Sequence, residues 1–171
     1  MKGMISILTL LFFIAFLSSC NPKNKLQNKK AIGNTLFTLM DNQQTKVHFK
    51  NSVIETADFN VLNYYYAYNG GGVAIGDINN DGLDDLYFTS NQKSNKLYIN
   101  KGGFKFEDVT TTANVSDAEG WSTGATMIDI NNDGWMDIYV CKSASLDNNL
   151  LRRNKLFVNQ KDGTFTEEAA K

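Results

Sequence analysis

The sequence has little of what catalytic and metal centres are most often built from: two cysteines and one histidine in 171 residues. Cys20 ends an apolar leader, which leaves Cys141 without a partner, so an internal disulfide framework is excluded. Cys141 is expected as a small buried thiol on a strand. The single histidine, His48, has no Ser or Cys nucleophile motif near it and is expected to be packed or solvated. No stretch has convincing helical periodicity, which argues against a helical fold. A surplus of base is missing too. The net charge is −1, and residues 51–171 carry 17 acids against ten bases, so a nucleic-acid surface is not expected.

The apolar residues are concentrated at the start. Lys2 precedes an almost wholly apolar run from Ile5 to Leu17, which ends in Leu17-Ser18-Ser19-Cys20 and a polar exit. A span needs roughly 20 apolar residues, so this reads as a secretory leader over 1–19. The Leu-Ser-Ser-Cys ending resembles the bacterial lipobox. That resemblance implies a lipid on the sulfur of Cys20, cleavage before it, and a protein anchored at the bacterial cell envelope, with the outer membrane as the expected site. An ordinary leader or an uncleaved anchor helix is the alternative. Residues 20–34 hold little apolar surface and read as a flexible tether. Over 35–69, Val47-His48-Phe49 alternates and Val61 to Tyr68 is rich in aromatics, which predicts an N-terminal β segment.

Beyond Gly70 the chain repeats. Ala74 to Phe88 returns 52 residues later as Thr126 to Val140, and Asn95 to Asn100 returns 59 residues later as Asn154 to Asn159. Seven extra residues therefore lie in the second copy, most simply within Lys142 to Arg153. The first copy offers strands at Val73–Ile75, Asp85–Thr89, Lys96–Ile99 and Lys105–Val109, separated by Asn, Asp, Gly and Ser. A repeat of this length is a sign of solenoids or propellers, and four short antiparallel strands in roughly 40 to 55 residues is the size of a propeller blade. The expected fold is all-β: two four-stranded blades, over 70–112 and 121–171, of an incomplete ring.

Each copy contains D-x-N-x-D-G-x-x-D. The oxygen-bearing positions are Asp77, Asn79, Asp81 and Asp85 in the first loop, and Asp129, Asn131, Asp133 and Asp137 in the second. Leu83 and Trp135 stand at position seven, where a ligand would be the backbone carbonyl. Ca²⁺ takes six to eight hard oxygens, and alternate side chains of a tight loop converge on one point. Gly82 and Gly134 permit the sharp backbone this requires. Position twelve is Phe88 or Val140, and the flanks are strands, so an EF-hand is rejected. A plain Asp-Gly hairpin turn is the competing reading. It leaves the matching third and fourth oxygens unexplained. Unit charges about 4 Å apart at an effective dielectric near 20 repel by about 4 kcal/mol, so converging carboxylates call for a cation. The expectation is two Ca²⁺ sites. Asp84 reads as solvated.

Gly71 to Tyr87 resembles the FG-GAP (VCBS) repeat of integrin α-chain propellers and many bacterial surface proteins. With Asn95 to Asn100 and Gly163-Thr164-Phe165, the chain is similar to the bacterial lipoprotein relatives of cartilage acidic protein, which often carry an ASPIC/UnbV domain. The family's ligand positions fall on the loop residues named above. Such propellers usually close with about seven blades, so two repeats are expected to belong to a truncated chain, with further blades in a longer one; an oligomer completing the ring is the alternative. The resemblance implies a non-enzymatic binding, adhesion or scaffold module with a glycan or protein ligand. The alternative is a calcium-dependent enzyme or accessory subunit acting on extracellular polysaccharide. Tyr64, Tyr65, Tyr66 and Tyr68, and Trp121 and Trp135, are expected in packing before any sugar platform.

Overall fold

The computed structural model describes residues 36–143 and 148–169. The leader, Cys20 and the tether to residue 34 lie outside the described residues. The chain divides into two compact units, Met1–Leu39 and Met40–Lys171. In the first, only 36–39 are described and all four are exposed. The second holds the strands found among the described residues.

Among the described residues, eight strands form two four-stranded antiparallel sheets, each in simple sequential order. The first sheet is β1 (Val73–Gly76), β2 (Asp85–Phe88), β3 (Lys96–Asn100) and β4 (Phe106–Asp108). The second is β5 (Trp121–Ile128), β6 (Asp137–Ser143), β7 (Lys155–Asn159) and β8 (Phe165–Glu167). The expected strands are all present, within a residue or two at each end. A 3₁₀ turn, η1 (Asn149–Arg152), lies where the second copy is longer.

The segment 36–69, expected to be β, contains no strand. It holds one short helix, α1 (Asn42–Thr45), capped by the Asp41 carboxylate, which accepts the Gln43 N–H at 2.6 Å. Polar side chains around residue 60 take up the backbone groups that a ladder would need. The Thr56 hydroxyl accepts from Phe59 N–H, Asn60 accepts from Leu62 N–H, and the Asn63 amide donates to the Ala57 and Asp58 carbonyls. Such local bonds compete with sheet formation and turn the chain. Phe59 and Tyr64 instead pack on buried Trp121, with ring centroids 4.9 and 5.6 Å away. Upstream, Phe49 stacks on Phe88 at 4.9 Å. Tyr65, Tyr66 and Tyr68 are exposed.

The two sheets stack the same way round. Tyr87 pairs with Leu97 on one face of the first sheet, and Leu86 with Tyr98 on the other. The Tyr87 face, with Ala74, Leu97 and Ile99, shares one core with Ile138, Val140 and Phe157 of the second sheet. By the repeat offset these last three are the counterparts of Leu86, Phe88 and Tyr98. The rear face of one repeat therefore meets the front face of the next. Glycine permits a close backbone approach there: a Cβ on Gly72 would lie 2.9 Å from the Gly124 Cα and the Thr123 carbonyl oxygen.

Cys141 corrects its expectation: it lies on β6 but is exposed. Alternation after buried Val140 turns it to the opposite face. Its neighbour across the ladder is Gly124, at the irregular register between Ser122 and Ala125, which has no side chain to cover it.

A polar clamp recurs inside each repeat. Asn95 accepts the Ser90 N–H at 2.8 Å and donates to the Tyr87 hydroxyl at 3.1 Å, which in turn donates to the Val115 carbonyl at 2.8 Å. Burial pushes the Tyr87 phenol well above its ordinary range, against the opposing bond from Asn95, and keeps it neutral. Asn154 repeats this with Lys142 N–H and the Tyr139 hydroxyl. Asn95→Ala strands the buried Ser90 N–H and removes the donor to the Tyr87 hydroxyl, which keeps its own bond to Val115. It is expected to lower unfolding free energy by about 2–4 kcal/mol in urea titration followed by circular dichroism. A loss under about 0.5 kcal/mol would show that water replaces the clamp.

Candidate metal centres

Each D-x-N-x-D-G loop begins where the first strand of its sheet stops and ends on the first residue of the second strand, Asp85 or Asp137. The backbone turns through two left-handed residues, Asn80 (φ 59°) and Gly82 (φ 83°), or Asn132 (φ 56°) and Gly134 (φ 84°). Asn is among the few residues that take this conformation readily, and Gly does so without strain.

The loops are duplicates at the level of single bonds. Asp77 accepts Asp81 N–H at 3.0 Å and Gly82 N–H at 2.8 Å; Asp129 accepts Asp133 N–H at 3.0 Å and Gly134 N–H at 2.8 Å. Asn79 and Asn131 each accept the same Asp N–H at 3.1 Å. Asp81 and Asp133 each accept the position-seven N–H, from Leu83 or Trp135, at 2.9 Å. They also accept the Asn79 or Asn131 side-chain amide at 3.0 Å. The structure thus brings positions one, three and five together around one turn.

Position nine has a second task. Asp85 and Asp137 are wholly buried. One oxygen accepts the N–H of Ile78 or Ile130, both at 3.0 Å. The other accepts from the last residue of the third strand, Asn100 at 2.7 Å or Asn159 at 2.8 Å. Burial raises the Asp85 carboxyl above its ordinary value; the N–H groups of Asn100 and Ile78 oppose this, and the charges of Asp81 and Asp77 add to it.

One difference between the two loops is a cation beside the second. The Lys161 ammonium lies 3.2 Å from Asp133 Oδ2. Burial acts to raise Asp133, but the Trp135 N–H, Lys161 and Asn131 outweigh it and hold the carboxyl below its ordinary value. The repeat offset puts Gly102 where Lys161 stands, so Asp81 has no such neighbour, and Lys101 pairs with Glu107 at 3.1 Å.

No group of three or more His, Cys, Asp or Glu gathers as a cation cluster among the described residues. Each loop instead supplies a mixed set of hard oxygens: two carboxylates, an amide and the position-seven carbonyl, with the buried aspartate behind them. That chemistry fits Ca²⁺ and contains no soft donor.

Sequence reasoning passed over three asparagines. Asn100 and Asn159 close the repeated Asn-Lys-Leu segment, so their recurrence was visible, but not their partners. Asn80 had no signal of its own beyond its place in the motif.

The buried position separates from the surface ones experimentally. Asp137→Ala orphans the Ile130 and Asn159 N–H groups and is expected to cost about 3 kcal/mol or more, even with EGTA present. Asp129→Ala in EGTA is expected to cost clearly less. Urea unfolding of both variants checks this, and equal losses would contradict the division.

Residues 77–140 match the FG-GAP-like repeat family. Over 72 residues, 42% of this chain, the sequence is 35% identical to cartilage acidic protein 1 of Xenopus tropicalis. That stretch covers 11% of the relative, so the chain spans about a tenth of the length of the curated protein it matches. The family match runs from the first loop residue, Asp77, through the second loop to Val140 on β6, and takes in both duplicated turns. The stretch that matches FG-GAP-like repeats, 77–140, lies within two successive, stacked four-stranded sheets.

Proposed function

We propose that the chain is a calcium-binding repeat module of the bacterial cell envelope, anchored through lipid on Cys20 and serving as a non-enzymatic binding, adhesion or scaffold surface. The observation that carries the metal reading is the duplication of the loops. Two turns 52 residues apart reproduce the same oxygen arrangement bond for bond, whereas a bare hairpin needs only its Asp-Gly pair. The ligands would be Asp77, Asn79, Asp81, the Leu83 carbonyl and Asp85, and Asp129, Asn131, Asp133, the Trp135 carbonyl and Asp137. The cation would supply charge balance to the loop and hold the blade ends rigid.

The sheet faces support further repeats as neighbours. Ala125 and Met127 of the second sheet pack into the shared core, while their counterparts Val73 and Ile75 are 52% and 62% exposed. Tyr87 and Leu97 are buried, while their counterparts Tyr139 and Leu156 are only half-buried. Each open face matches one that is covered at the junction between the two sheets. Blades of the same kind in a longer chain would cover both, and a glycan or protein would be the external ligand.

If calcium binds at about 10 µM and is present at about 1 mM, each site adds about 2.7 kcal/mol to the folded state. EGTA is then expected to lower the melting temperature, and the Asp77→Ala, Asp129→Ala double variant to melt identically with and without calcium. A wild-type melt indifferent to EGTA would refute the metal reading.

The anchor is tested separately. Cys20→Ser is expected to move the protein from the membrane fraction to the soluble one and to end incorporation of labelled fatty acid. Label still entering the variant would refute the assignment.

A further inference from the structure

The two loops are in direct contact. Asn80, fourth in the first loop, donates its side-chain amide to the carbonyl of Gly134, sixth in the second, at 3.0 Å. Gly134 is itself held by the second loop's first ligand position, its N–H donating to Asp129 Oδ2 at 2.8 Å. The peptide that Asn80 grips carries the Trp135 N–H, which donates to Asp133 Oδ1 at 2.9 Å, so adjustment of Asp129 or Asp133 toward a cation acts on the residue that Asn80 holds.

Asn159 makes a second link. Its N–H donates to the Asp137 carboxylate at 2.8 Å, and its side-chain amide donates to the carbonyls of Met136 at 3.0 Å and Ile78 at 2.9 Å. Ile78 lies between Asp77 and Asn79, so one buried residue touches the backbone of both loops. Its counterpart Asn100 makes the two bonds within its own repeat, to Asp85 and the Asp84 carbonyl. The bond to Ile78 is what the junction of two repeats adds.

We propose that Asn80 and Asn159 are positioning residues that couple the two loops, so that a cation held in one raises the affinity of the other. This rests on the calcium reading above. A loop fixed by its ion presents its neighbour's backbone already ordered, and the neighbour then binds with less to arrange. By linkage the effect is reciprocal.

Calcium alone, titrated into the whole protein by calorimetry, counts the sites, and Trp135 emission reports filling of the second loop. Asp77→Ala is expected to weaken the second loop about fivefold or more. Asn80→Gly keeps every ligand of the first loop, suits the positive φ, and is expected to weaken the second loop in the same direction. In an Asp129→Ala background, Asn80→Gly is expected to leave the first loop's own affinity unchanged, which a merely local structural role would not. Equal second-loop affinity in wild type, Asp77→Ala and Asn80→Gly overturns the coupling while leaving both sites standing. So does an equal loss at the first loop in the Asp129→Ala background. Absence of any calcium heat in folded wild-type protein overturns the calcium reading and the coupling with it.

Discussion

Asp85 and Asp137 bring carboxylates fully into the protein interior, and the rest of each repeat is arranged to make that tolerable. Burying a carboxylate without partners would cost several kcal/mol. Here each oxygen accepts a main-chain N–H, one from the start of its loop and one from the end of the third strand. A single side chain thus ties three separate pieces of backbone together. The hairpin between the first two strands, the register of the third and the position of the loop's outer oxygens follow from that tie. At Asp85 the carboxyl remains raised despite its two N–H donors, so desolvation there is only partly offset.

Stacking imposes the second constraint. A four-stranded sheet of three- to five-residue strands, as in the first repeat, has too little apolar surface to stand alone. Its core is completed by the front of the next sheet, as in other repeat architectures. Hydrogen bonds reinforce the junction: Thr89 Oγ1 donates to the Thr123 carbonyl at 2.7 Å and the Asn91 amide to the Ser122 carbonyl at 2.9 Å. Phe165 N–H donates to the Ala113 carbonyl at 3.0 Å. These bonds span the sheets without merging them into one ladder.

The second repeat carries charge where the first does not. Lys161 already neutralises part of Asp133. Lys142, at the position of Ser90, is buried against Asp117 with Nζ 2.5 Å from Oδ2 and also donates to the Glu119 carbonyl. That pair ties β6 to the connection between the sheets, beside the longer stretch that holds η1. Removing either partner would leave the other buried and uncompensated.

Local order was readable from residue spacing. The 52-residue recurrence, the four strands per copy, and the convergence of positions one, three and five each depend on nearby residues, whose geometry a short motif dictates. Non-local matters were decided elsewhere. Val47–Phe49 and Val61–Tyr68 have β-favouring residues, yet neither pairs with a strand among the described residues, and the side chains of Thr56, Asn60 and Asn63 bond the local backbone instead. Cys141 is exposed because its neighbour across the sheet is Gly124, a fact about register rather than composition. That Asn80 and Asn159 reach across to the adjoining repeat came only from stacking, because a side chain's distant partner is set by how surfaces meet in space and leaves no trace in the order of residues.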